Sequence, residues 1–292
     1  MKSYFSDLGH KLTFRLRRIV SLVIFLRRGT INSVFGSYIS PTETKIATDL
    51  ELHKALRPLM DRLTVEDSGE KLVRIGSQND GGYVLVEKDY SGVFLLSGGI
   101  SNDNNFEIEF AEQGGFGHQV DYSIEEPPRK HKNLTFSPRR IVGEKELDFD
   151  VTLDDLCQEF ISEEALKQKT TILKLDIEGS EWEILNSAKS LGSFDQVLLE
   201  LHYLNKLADP KVHLDSVKGL GRLLDFYFPI FISGNNCCGV VTLGGFTIPR
   251  VMELTLLNRS KYQIVAERKA GPNQIFQSQN YMKKAPVVLK TW

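Results

Sequence analysis

Short apolar runs alternate along this chain with segments whose apolar residues recur every three or four positions. The period-four segments predict helices over Thr42–Leu63, Asn104–Gln113, Leu153–Lys167, Glu181–Ala188 and Val212–Phe226. In the first of these, Ile46, Leu50, Leu52, Leu56 and Leu59 form the apolar stripe. The short runs predict strands at Gly92–Leu96, His118–Val120, Leu134–Phe136, Ile172–Leu175, Val197–Leu201, Pro229–Ile232 and Met252–Leu257, with a further one at Tyr262–Ala266. Regular alternation of this kind predicts an α/β fold, a mostly parallel sheet with helices on both faces.

Two of these strands end in chemistry. Ile172 to Leu175 runs into Asp176-Ile177-Glu178-Gly179-Ser180-Glu181-Trp182, and Val197-Leu198-Leu199 runs into Glu200-Leu201-His202. In an open α/β sheet the carboxyl ends of the strands border the ligand crevice. Neighbouring strands that end in acids and an imidazole therefore predict a polar cleft, with Asp176, Glu200 and His202 as its catalytic candidates. Asp176 is expected to face the cleft. Glu178 reads either as a second cleft residue or as part of the start of the next helix. Trp182, at helical spacing from Leu185, reads as core. The first strand passes into Ser97-Gly98-Gly99, small residues that let a ligand approach the backbone. Asp121 closes the next strand, where an acid can accept hydrogen bonds from both hydroxyls of a ribose. No third glycine completes a dinucleotide fingerprint, so a nucleoside ligand without a pyrophosphate is favoured.

His202 can serve as a general base or simply satisfy a backbone carbonyl. Asp176, Glu200, His202 and Asn235 carry hard or borderline ligand atoms, and their convergence on a divalent metal is a further reading. Asp80-Gly81-Gly82-Tyr83 has the chemistry of a hairpin turn. Arg74 ahead of it can grip a carboxylate in bidentate fashion.

The totals narrow the picture. The 292 residues are 41% hydrophobic and 25% charged with a formal net charge of -2, so the chain can bury a core and no global field points to nucleic acid. Cys157, Cys237 and Cys238 show no zinc-type spacing, and the adjacent pair are poor partners for each other. A reducing, cytoplasmic setting is the simplest reading. Residues 1–45 stand apart. Arg15, Arg17, Arg18, Arg27 and Arg28 flank an apolar run from Ile19 to Leu26 that is too short to cross a bilayer. It reads either as a basic amphipathic helix lying on a membrane surface or as a helix docked on the domain formed by residues 46–292.

Several ordered segments resemble the FkbM type of S-adenosylmethionine-dependent methyltransferase. They are Arg74-Ile75-Gly76 with Asp80-Gly81-Gly82-Tyr83, Gly98 to Asp103 with Phe106-Glu107, and Val120-Asp121 with Ser123. Thr152-Leu153, Leu173 to Trp182 and Leu199 to His202 follow, then Asn235-Asn236-Cys237 and Ile248-Pro249 with Glu253-Leu254-Thr255. The resemblance spans roughly Lys71 to Ser260. It implies a Rossmann-like class I fold: a seven-stranded, mostly parallel sheet whose last strand is antiparallel. It also implies O-methyl transfer, often to hydroxyls of glycans or small metabolites. The cofactor contacts it implies are Arg74, Asp80, Ser97, Gly98, Gly99, Asp121 and Asp176. Relatives often carry an acid or Phe-Gly where this chain has Ser97. Other readings of the same pattern are a nucleotide-sugar or nicotinamide enzyme, and a scaffold without catalysis.

Overall fold

A computed structural model of the chain describes residues 49–162 and 170–267, together with 280 and 287. The basic segment at residues 1–45 and part of the helix expected over Leu153–Lys167 lie outside the described residues. Among these, no helix is long and apolar enough to cross a membrane.

The described chain opens with α1 (Asp49–Arg62) and a hairpin of β1 (Leu72–Gly76) and β2 (Gly82–Val86). β3 (Phe94–Gly98), α2 (Asn105–Glu112), β4 (Phe116–Val120) and β5 (Leu134–Ser137) follow. Then come α3 (Leu153–Phe160), β6 (Thr171–Leu175), α4 (Glu181–Ser187), β7 (Gln196–Leu201), α5 (Pro210–Phe226) and β8 (Tyr227–Gly234). A small hairpin, β9 (Val240–Leu243) with β10 (Phe246–Pro249), precedes β11 (Met252–Asn258). Seven strands form one sheet in the order β8-β11-β7-β6-β3-β4-β5. The five from β7 to β5 are parallel, and β11 is antiparallel to both β7 and β8.

Side-chain alternation explains the layers. Phe94 and Leu96, Leu173 and Leu175, and Val197, Leu199 and Leu201 enter one core with α1, α3, α4 and α5. The intervening Leu95, Ile172 and Leu198 enter a second core with α2 and the β1–β2 hairpin. From β3 the chain winds outward through β4 to β5. It then returns to β6 on the other side of β3. That reversal between β3 and β6 is the topological switch point, where an open sheet leaves a crevice beyond its strand ends.

Several elements depart from the sequence pattern. Leu50, placed on the apolar stripe, is 62% exposed, whereas Leu52, Leu56 and Leu59 are buried. The helix from Leu153 stops at Phe160, because Ile161 is extended. β3 starts two residues late because Gly92, at φ 77°, belongs to the preceding turn. The expected strand over Tyr262–Ala266 is reduced to Ala266–Glu267, paired with Glu66–Asp67. Both cores hold the hairpins the pattern did not mark as strands. Cys237 and Cys238, expected to be poor partners for each other, are bonded in the loop after β8.

Candidate functional site

The strand ends at the switch point are laced together by their own backbones. The Asp176 amide donates to Gly98 O at 3.0 Å and the Gly99 amide to Val120 O at 3.0 Å. A Cβ on Gly99, at φ 80°, would lie 1.7 Å from the Asp176 carbonyl oxygen, and one on Gly98 would lie 2.5 Å from Ile141. The close approach permitted at Gly99 is therefore that of the loop after β6, and at Gly98 that of the Ile141 side chain. From below, Lys174 Nζ donates to Gly99 O at 2.5 Å and stands 3.4 Å from Glu107 Oε1, both side chains being fully buried. Ser97 is corrected as a ligand contact: its buried hydroxyl donates to Glu107 Oε1 at 2.6 Å, because in β3 it shares the α2 side with Leu95. Asp121 does sit at the end of β4. Its Oδ2 accepts the Ile100 and Ser101 amides at 2.9 and 2.7 Å, and its Oδ1 the Ser123 amide at 2.7 Å. A carboxylate has about four acceptor positions, so roughly one remains, on Oδ1.

Beside this loop the ends of β6 and β7 bring Asp176, Glu178, Glu200 and His202 together. β6 ends at Leu175, and Glu178 and Gly179 take φ values of 56° and 106°. Strand alternation thus ceases to apply, and both acids of the Asp176-Ile177-Glu178 run reach the same imidazole. His202 Nε2 lies 3.5 Å from Glu178 Oε2, 3.8 Å from Glu200 Oε1 and 4.0 Å from Asp176 Oδ1. Its Nδ1 faces Glu181 Oε1 at 3.1 Å, an oxygen that also accepts the Ile177 amide at 2.9 Å. The Tyr83 hydroxyl donates to Asp176 Oδ2 at 2.7 Å. Trp182, expected as core, packs there and also donates Nε1 to His202 O at 2.8 Å.

Burial works against a charge on His202. The Glu181 hydrogen bond and the carboxylates of Glu181, Glu200 and Asp176 outweigh it and raise the pKa to about 10. The surrounding acids thus favour the protonated imidazole. Glu200 and Glu253 are cross-strand partners in β7 and β11, so two acids share one face. Burial, reinforced by Asp176 and Glu253, holds Glu200 well above the usual carboxylate range. Burial also pushes Glu253 up to about 7, against the pull of Asn280 and Arg74. Asn235 Nδ2 donates to Glu200 Oε1 at 2.9 Å, and Asn280 Nδ2 to Glu253 Oε1 at 2.7 Å and Asp80 Oδ1 at 3.2 Å. Asn235 therefore holds Glu200, while its own Oδ1 accepts the Cys237 amide at 2.8 Å.

Arg74 donates Nη2 to Asn79 O at 2.7 Å, while its buried Nε and Nη1 have no hydrogen-bond partner. Its electrostatic neighbours are Glu253, Tyr83 and Asp80. Asp80 also lines an open cleft of about 760 Å³ with Asp103, Asn105, Glu109, Glu112 and Arg129. Lys174 and Asn280 were given no role from the sequence, Tyr83 entered as the end of a turn motif, and Glu107 and Glu253 entered only through the resemblance. Lys174 alone carried a signal: a lysine inside an otherwise apolar strand needs a buried partner.

Neither a family model nor a curated protein matches the chain. Among solved structures it is similar to a "putative hemolysin" from Lactococcus lactis, with a TM-score of 0.37 and 12% identity over 77% of this chain and 94% of that one. A "putative hemolysin" from Streptococcus thermophilus gives a TM-score of 0.36 and 12% identity over 78% of this chain and 73% of that one.

Proposed function

We propose that this chain is an S-adenosylmethionine-dependent O-methyltransferase of the FkbM type, acting on a hydroxyl of a sugar, a glycan or a small metabolite. One observation carries the reading. At the switch point of a seven-stranded sheet whose last strand is antiparallel, the glycine loop, Asp121 and Asp176 meet at the strand ends. The donor set fits the cofactor. Arg74 has two buried orphan donors for a carboxylate, Asp176 offers charge to an ammonium, and Asp121 keeps an acceptor position for a ribose hydroxyl.

S-adenosylmethionine, when bound, supplies the electrophilic methyl group. The chain's own residues orient and deprotonate. Tyr83 fixes Asp176, and Lys174 fixes the Gly99 loop, so the two sides of the crevice are held before a ligand arrives. Asn235 occupies Glu200 Oε1, which leaves Oε2 to take the proton of an acceptor hydroxyl.

Calorimetry tests the reading directly. S-adenosylhomocysteine should bind, NAD should not, and Asp121→Ala should weaken binding by roughly 1.5–3 kcal/mol, as for a hydrogen bond to a charged group. Binding of NAD without binding of S-adenosylhomocysteine would sink it.

A further inference from the structure

The atoms around His202 are spaced less like hydrogen-bond partners than like ligands of one ion. Nε2 stands 3.5 Å from Glu178 Oε2 and 4.0 Å from Asp176 Oδ1, beyond ordinary hydrogen-bond distances. Donors that bind one ion at about 2.0–2.2 Å stand roughly 3–4 Å from each other. One ligand atom each from Asp176, Glu178 and His202 lie within 4.8 Å of one another.

Three further features point at the same spot. His202 is only 7% exposed, and its Nε2 makes no hydrogen bond among the described residues. Its Nδ1 is held by Glu181, a fully buried acid whose Oε2 has no hydrogen-bond partner. A carboxylate on one ring nitrogen is how proteins orient an imidazole that binds metal through the other. Tyr83 takes Asp176 Oδ2 and leaves Oδ1 toward the ring.

We propose that Asp176 Oδ1, Glu178 Oε2 and His202 Nε2 bind a divalent cation of the Mn²⁺ kind, with Glu181 as the positioning residue. Two carboxylate oxygens and one imidazole nitrogen suit a hard-to-borderline ion. Three protein ligands leave coordination positions for water or for a hydroxyl, whose pKa the ion would lower. Glu178, whose side chain is 82% exposed, forms the open side through which the ion enters. As the ion binds, the proton on Nε2 leaves to solvent. The site stands whether or not the chain transfers methyl groups.

The test uses the full chain and Mn²⁺ alone, with free Mn²⁺ read by its paramagnetic resonance signal. One ion per chain should bind. Asp176→Asn and His202→Gln should each weaken binding at least tenfold, and Glu181→Gln roughly 10–100-fold, the usual effect of removing such a support. Glu112→Gln, in the outer cleft, should bind as the unaltered chain does. In case a variant does not fold, a second measurement uses the unaltered protein: Mn²⁺ should broaden the His202 ring resonances before those of the other five histidines. No binding at millimolar Mn²⁺, undiminished binding in both ligand variants, or broadening centred on another histidine would overturn the proposal.

Discussion

At Gly99 a single hydrogen in place of a methyl group decides whether the crevice can form. A Cβ there would overlap the Asp176 carbonyl oxygen at 1.7 Å, with the backbone at φ 80°. Gly92 has nearly the same backbone, φ 77°, but nothing within 4 Å of its Cβ position. The pair therefore separates strain from collision. Gly92→Ala should cost only the strain of a left-handed residue, on the order of 1 kcal/mol. Gly99→Ala should cost several times more, because β3 must move away from β6, and it should abolish S-adenosylhomocysteine binding. Denaturant melts and calorimetry on both variants check this, and equal losses would show that the collision relaxes. Residues of this kind also mark what the sequence makes legible. Two glycines after a strand and an acid after the next are visible as a loop and its partner. That the glycines serve loop packing follows only from which strand lies next to β3.

The elements that carry the site are set by local chemistry that can be tested apart from function. α3 begins with a capping box: Thr152 Oγ1 accepts the Asp155 amide at 3.1 Å, and Asp155 Oδ2 accepts the Thr152 amide at 3.0 Å. Thr152→Ala should cost about 1 kcal/mol, a fall of roughly 2–4 °C in Tm for a domain of this size, with cofactor affinity unchanged. In β4, His118 lies between Thr135 Oγ1 at 2.7 Å and Ser137 Oγ at 2.8 Å and stacks on Phe160. Burial, helped by the Arg139 charge, lowers its pKa from 6.5 to about 4. The folded state thus resists a proton that the unfolded state accepts. The stabilisation is complete above pH 6.5, falls as pH drops toward 4, and is absent below that. Thermal melts across pH 4 to 7 should show this slope reduced in His118→Gln. An identical slope in the variant would assign the pH dependence to other groups.

For the whole molecule, most of the sheet was legible because each strand is a short apolar run with a turn or an acid at its end. Of the eight strands the pattern predicted, seven make up the main sheet, and the one over Tyr262–Ala266 does not. The β1–β2 hairpin was legible only as a turn, because its strands alternate too briefly to stand out. The site was legible in its strand-end residues, Asp121, Asp176, Glu200 and His202, since strand ends at a switch point are fixed by topology. Glu181, Tyr83, Lys174 and Glu253 were not, because they reach the site by register across strands and by a helix start, which no spacing in the sequence records. The basic segment at residues 1–45 raises a separate question, of where the molecule sits. Its five arginines around an apolar run of eight residues should draw it to anionic lipid, each charge near the surface contributing about 1 kcal/mol. If that segment is a membrane arm, deleting residues 1–40 should abolish flotation with anionic liposomes and leave S-adenosylhomocysteine affinity as it was. Flotation of the full chain should also weaken as salt rises, because the attraction acts over about 8–10 Å at physiological ionic strength. Loss of folded protein on deletion would make the segment part of the domain, and unchanged flotation would move the membrane contact elsewhere on the chain.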